Sequence, residues 1–204
     1  MRNSYRLVLF VACVAAFFAL SHIAVGQELV PRSSGLVTGH KLASQLTGRE
    51  MPYRVTVPVD YTILREQRYA VLILLHGLNG HFNNWNDKTR IDLYLQGYRA
   101  IIVTPEGGDG WYTDSATVPN DKYESYIIRE LIPEIDKKFR TIPDRDHRAI
   151  AGLSMGGYGA IKFGVKYPEK FSLVGSFSGA FDAPMRGAAV VNNWPSIISV
   201  YGPA

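Results

Sequence analysis

Apolar positions along this chain follow two rhythms. Tyr53-Arg54-Val55-Thr56-Val57-Pro58-Val59 alternates with period two, which predicts a strand with one buried face. Ala70 to Leu75 is instead an unbroken apolar run ending at His76-Gly77. Ala100 to Val103 is another, ended by Thr104-Pro105; Ala149 to Ala151 leads into Gly152, and Phe171 to Phe177 is the last. Unbroken runs bounded by turn residues predict central strands buried on both faces. Between them the period lengthens. Tyr123, Ile127, Leu131, Ile135 and Phe139 form a row four residues apart, widened by Ile128 and Ile132, which predicts a helix over 121–140. Asp121 and Glu124 stand in a capping-box relation at its start, and Pro133 inside it predicts a kink. A second helix is expected to open at Ser154 and stop before Tyr167-Pro168, with a weaker one over 87–95. Strands alternating with helices define an α/β fold with a mostly parallel central sheet and helices on both faces. Ligands sit at the carboxyl ends of such strands. That edge gathers His76-Gly77, residues 104–114 and residues 152–156.

The N-terminus carries a different pattern. Arg2 and Arg6 precede an apolar run from Leu7 to Leu20, and Ala24 and Gly26 stand just before Gln27. Charge, apolar run and small residues in that order predict a secretory signal over 1–26, too short to span a membrane as a helix. The expected organisation is therefore 1–26 signal, 27–50 polar leader and 51–204 a partial α/β domain. The expected location is secreted or periplasmic, with membrane contact only through the signal. Cys13 lies inside the signal and is the single cysteine, so neither disulfides nor a thiolate metal site are expected. The net charge is +4. Its basic residues are scattered, which argues against nucleic acid as a partner.

The chemistry concentrates at Gly152-Leu153-Ser154-Met155-Gly156. A serine hydroxyl is a useful nucleophile only when exposed, oriented and deprotonated by a base. A sharp strand-to-helix turn lifts Ser154 off the sheet, and the glycines let the backbone pass closely. Acyl transfer also needs two donors aimed at the tetrahedral oxyanion. One candidate is the N–H of Met155, after the nucleophile. The other is the N–H of Leu78, in the Leu74-Leu75-His76-Gly77-Leu78-Asn79-Gly80 segment. No cofactor is required, and no converging His and carboxylate spacing suggests a metal.

Together, Leu74 to Gly80, Trp111-Tyr112-Thr113-Asp114, Glu130-Leu131-Ile132-Pro133-Glu134-Ile135-Asp136 and Gly152 to Ala160 resemble the esterase D-like branch of the α/β-hydrolases. That branch includes S-formylglutathione hydrolases, acetyl and feruloyl esterases, and mycolyltransferases. The resemblance covers about Tyr53 to Asp182. It implies an α/β-hydrolase fold, a small-molecule or carbohydrate ester substrate, and a substrate-binding rim containing Trp111 and Tyr112. It also implies a triad in the order Ser, acid, His. No histidine follows Ser154 in these 204 residues. The expectation is a serine carboxylesterase fragment whose C-terminal strands, triad acid and histidine are missing, with residues 199–204 in a connecting loop. The alternatives are a truncated non-catalytic homologue binding acyl esters or glycans, and an acyltransferase of the same family.

Overall fold

The computed structural model describes residues 35–95, 97–183 and 195–202; the expected signal segment lies outside them. Six strands form one sheet in the order β1-β2-β4-β3-β5-β6. They are β1 (Leu36–Ser44), β2 (Arg49–Val57), β3 (Ala70–Leu75), β4 (Ala100–Pro105), β5 (Arg148–Leu153) and β6 (Leu173–Phe177). β1 pairs antiparallel with β2, and β2 antiparallel with β4. The β4-β3-β5-β6 half is parallel.

The unbroken apolar runs of β3, β4 and β5 are buried on two faces, as their pattern requires, whereas the run of β6, expected to be buried likewise, lies at the edge of the described sheet with Leu173 and Phe177 exposed. Val71, Ile73 and Leu75 enter the main core with Tyr53, Val103 and Ile150. Leu72 and Leu74, one residue out of phase, join Ile102, Ala151 and Trp85 on the opposite face. Two short helices, α1 (Asn84–Asp87) and α2 (Ile91–Tyr94), cover that second face in place of the single helix expected over 87–95. The main face carries the longer helices.

The polar stretch read as leader needs correction. Residues Leu36 to Ser44 are an edge strand, registered along their whole length with β2. Only Ser44 in β1 is buried, and Leu36 is 56% exposed, so the strand lacks the buried alternation that marks strands in sequence. Its pairing is secured by backbone hydrogen bonds and by a clamp at the turn. Glu130 accepts hydrogen bonds there from the Ser44 hydroxyl and from the amides of Gln45 (2.9 Å) and Leu46 (3.2 Å).

The helix expected over 121–140 forms in three pieces. α3 (Tyr123–Ser125) runs into a π-helical turn (Tyr126–Leu131) and then α4 (Ile132–Lys138). Pro133 explains the widened turn: it lacks an N–H for the carbonyl four residues back, and its ring would strike that carbonyl. The Ile132 N–H reaches the Ile127 carbonyl, five residues back, so the chain gains a residue in the turn where a kink was expected. The capping box does not form. Asp114 caps the helix from the preceding loop, accepting from the Ser125 amide (2.9 Å) and hydroxyl (2.6 Å).

α5 (Met155–Lys166) follows β5 and lies over β5 and β6. Residues expected to be a loop near the end instead form α6 (Pro195–Tyr201), with Ile197 and Val200 buried. α6 docks on the loop after β4: the Ser115 hydroxyl donates to the Ser199 carbonyl (2.6 Å), and the Trp111 indole donates to the Ser196 hydroxyl (3.2 Å). Replacing Glu130 with alanine should cost about 2 kcal/mol, the usual scale for hydrogen bonds to a charged acceptor. Urea denaturation measures it; a loss below about 0.5 kcal/mol would show the hairpin clamp to be idle.

Candidate active site

The turn from β5 into α5 is where the backbone is most constrained. Ser154 has φ 54° and ψ −114°, a conformation that L-residues other than glycine rarely adopt. Holding it costs about 1–3 kcal/mol, so the surroundings must impose it. They do so through the backbone. The Ser154 N–H donates to the Phe177 carbonyl at the end of β6 (2.8 Å), and its own carbonyl accepts the Tyr158 N–H in the first turn of α5 (2.9 Å). Gly156 permits the tight fit: a Cβ there would stand 2.5 Å from the Leu75 carbonyl oxygen and 2.6 Å from that of His76. The helix therefore sits directly on the carboxyl end of β3. Ser154 is half-buried, and its hydroxyl makes no capping hydrogen bond to α5.

The loop after β3 abuts this serine. A Cβ built on Gly77 would lie 3.6 Å from the Ser154 Cβ. Two hydrogen bonds fix the Gly77 carbonyl, from His76 Nδ1 (2.8 Å) and from the Gly80 N–H (3.0 Å). In a trans peptide the C=O and N–H point in opposite directions, so the Leu78 N–H is aimed away from the His76 ring. Among the described residues neither the Leu78 N–H nor the Met155 N–H has a hydrogen-bond acceptor. Met155 is the first residue of α5, where an N–H has no partner within the helix and the dipole favours negative charge.

His76 is held at both ring nitrogens. Nε2 accepts the Gly107 N–H (3.0 Å), which assigns the neutral Nδ1–H tautomer and leaves no ring nitrogen free for Ser154. Beside it lies Glu106, which also accepts the amides of Gly108 (2.8 Å) and Phe82 (3.3 Å). Burial pushes the Glu106 carboxyl up, but the hydrogen bonds from those amides oppose it, and the carboxyl lies below the usual glutamate value. The other described histidines face elsewhere. His81 lies 3.4 Å from Glu106, His147 pairs with Asp144 ahead of β5, and His40 stacks on Tyr53 at the far edge of the sheet. The described residues thus set the Gly77 turn against Ser154, with Met155 next to it in the chain, and no described histidine hydrogen-bonds to that serine.

Trp111 and Tyr112, expected at the rim, are placed differently. Their side chains are 1% and 0% exposed and belong to the main core. Both have left-handed backbones, φ 52° and 51°. The Tyr112 hydroxyl donates to the His76 carbonyl (3.1 Å). The loop is anchored to α5 by Lys162, whose ammonium donates to the Tyr112 carbonyl and Thr113 Oγ1 (both 2.6 Å) and to Glu124 (2.9 Å). Glu124 also accepts from Lys166 and from the Tyr167 hydroxyl (2.6 Å). Burial lowers the Lys162 ammonium, with the Glu124 carboxylate opposing it. Sequence reasoning passed over Glu106 and Lys162, and read Glu124 only as a helix-capping partner. Glu106 had a local signal, a carboxylate directly before Gly107-Gly108 at the end of a central strand. Lys162 had none, since its spacing suits a solvated helix face equally well.

The sheet order, the strained strand-to-helix turn and the donors beside it define an α/β-hydrolase-type fold. The family described as "Putative esterase" matches residues 44–195, and the chain belongs to that esterase family. An esterase of Mycobacterium tuberculosis strain H37Rv is 37% identical over 150 residues, covering 71% of this chain and 32% of that protein. An endo-1,4-beta-xylanase/feruloyl esterase of Xylanibacter ruminicola is 31% identical over 153 residues, covering 69% of this chain and 21% of that protein. The chain therefore spans a third or less of these two relatives. Among solved structures, a ferulic acid esterase superposes with TM-score 0.71 at 31% identity, covering 83% of this chain and 67% of that one. A fluorophosphonate-binding serine hydrolase of Staphylococcus aureus, FphF, gives TM-score 0.74 at 25% identity, covering 84% of this chain and 68% of that one.

The Glu124 cluster carries a pH signature. Burial pushes its carboxyl up, yet Lys166, Tyr167 and Lys162 hold it at about 2, against 4.5 for a free glutamate. A carboxyl depressed by folding contributes stability above its unfolded pKa and loses it as pH falls through the folded value. Glu124→Gln should therefore lower the denaturation midpoint at pH 7, and the deficit should shrink between pH 4.5 and about 2. Urea titrations at several pH values measure this; a deficit independent of pH would contradict the assignment.

Proposed function

We propose that this chain carries the nucleophile and oxyanion-binding half of an ester hydrolase, with Ser154 as the nucleophile. The observation that supports it is local. A half-buried serine in a strained turn carries a hydroxyl with no capping bond; the N–H that follows it and the N–H that follows Gly77, the residue abutting it, have no acceptor among the described residues. The Met155 N–H at the first position of α5 and the Leu78 N–H in a half-buried turn are both available to an acceptor carried by a ligand. An ester carbonyl becoming an oxyanion is such an acceptor.

In this reading Ser154 Oγ attacks the ester carbonyl carbon while its proton passes to a base. The carbonyl oxygen becomes an oxyanion held by the Leu78 and Met155 amides. Collapse expels the alcohol, which takes up a proton, and leaves an acyl-serine. Water then repeats the attack and releases the acid. The base is not among the described residues, so the chain alone is expected to acylate slowly. Relatives that act on feruloyl esters and the similarity to a ferulic acid esterase favour a small aryl or carbohydrate ester as substrate. The charged, apolar and small residues of positions 1–26 favour export.

Incubation with a fluorophosphonate, with and without imidazole as a diffusible base, tests the assignment. The adduct should map to the peptide containing Ser154, form faster with imidazole, and vanish in Ser154→Ala. An adduct that survives in Ser154→Ala, or none under either condition, would refute Ser154 as the nucleophile.

A further inference from the structure

Lys162 is a mostly buried cation that the proposed chemistry does not use. An ammonium has three protons to donate, and here the Tyr112 carbonyl, Thr113 Oγ1 and Glu124 take one each. Two of the three acceptors lie in one loop, immediately after Trp111. Successive left-handed residues such as Trp111 and Tyr112 persist only where their surroundings hold them. Lys162 supplies that hold from α5, eight residues beyond Ser154.

Tyr112 transmits the constraint. Its ring is wedged between Gly107 and Gly159, where a Cβ would fall 2.3 Å and 2.8 Å from ring atoms. At the far end its hydroxyl holds the His76 carbonyl, the same carbonyl that leans on Gly156 of α5. The peptide entering Gly77 is thus gripped from two sides. The next peptide carries the Leu78 N–H.

We propose that Lys162 and Tyr112 are positioning residues for the Leu78 amide, linking α5 through the Tyr112 backbone and ring to the turn that presents the second oxyanion donor. This rests on the reading of Ser154 as nucleophile. Neither residue touches the ester. Because Met155 opens α5 and Lys162 belongs to the same helix, the link references both donors to one rigid element. Oxyanion donors act only if held within a fraction of an ångström of the developing charge.

The test uses 15N-labelled protein phosphonylated at Ser154 by a fluorophosphonate in the presence of imidazole. In the unmutated protein the amide protons of Leu78 and Met155 should both move downfield as they take the phosphonyl oxygen. Tyr112→Phe deletes one hydroxyl and keeps the ring. It should preserve the Met155 shift, reduce the Leu78 shift to less than about half, and lower the maximal phosphonylation rate about tenfold with half-saturation changed less than about twofold. Lys162→Met should do the same. Lys166→Met loses a contact to the same Glu124 carboxylate without reaching the loop, and should keep both shifts. If Lys162→Met does not fold, Tyr112→Phe decides. A full Leu78 shift and an unmutated rate in Tyr112→Phe would overturn the positioning role. Absence of the Ser154 adduct, or of any movement at both amides in the unmutated protein, would instead overturn the nucleophile reading beneath it.

Discussion

Everything proposed for this protein depends on the left-handed turn at Ser154. A strand carried straight into a helix would point the first helical side chain along the sheet. At φ 54° the chain turns sharply from β5 into α5, and the Ser154 hydroxyl makes no capping bond to the helix. The conformation is unfavourable by itself. It is held by the hydrogen bond to Phe177 of β6, by the first turn of α5, and by the contact of Gly156 with the end of β3. Three strands and a helix thus converge on one residue. The strain is local and its support is distributed.

That convergence explains why so much of the molecule serves as scaffolding. Three carboxylates of the 124–136 segment tie the broken helix to something else: Glu124 to α5, Glu130 to the β1–β2 turn, and Asp136 to Arg148 at the start of β5 (2.7 Å). Glu106 joins the loops after β3 and β4. These are charge-assisted contacts between elements far apart in sequence. The exposed side of β6 is a contrast, since Leu173 and Phe177 are 59% and 55% exposed there.

The parts legible in sequence are those written in local patterns. Central strands announced themselves as unbroken apolar runs because each buries both faces. The elbow was legible because glycine spacing, an apolar approach and a following helix coincide only where a chain must turn that tightly. Other features were illegible for definable reasons. β1 carries little buried apolar surface, so its pairing leaves no periodic trace. Pro133 signals disruption but cannot specify whether it becomes a kink or a π turn. A rim position for Trp111 and Tyr112 was what the family resemblance implied. What decides their burial is the space opposite Gly107 and Gly159, which only the assembled fold defines. Lys162 is the strongest case, because a lysine held by three distant acceptors reads in sequence as an ordinary surface residue.

The most direct test of the central claim is a crystal structure of the protein phosphonylated at Ser154. The turn should keep its left-handed backbone, and one phosphonyl oxygen should lie about 2.7–3.1 Å from both the Leu78 and the Met155 nitrogens. A phosphonyl oxygen turned to solvent, or a Leu78 nitrogen well outside that range, would contradict the account.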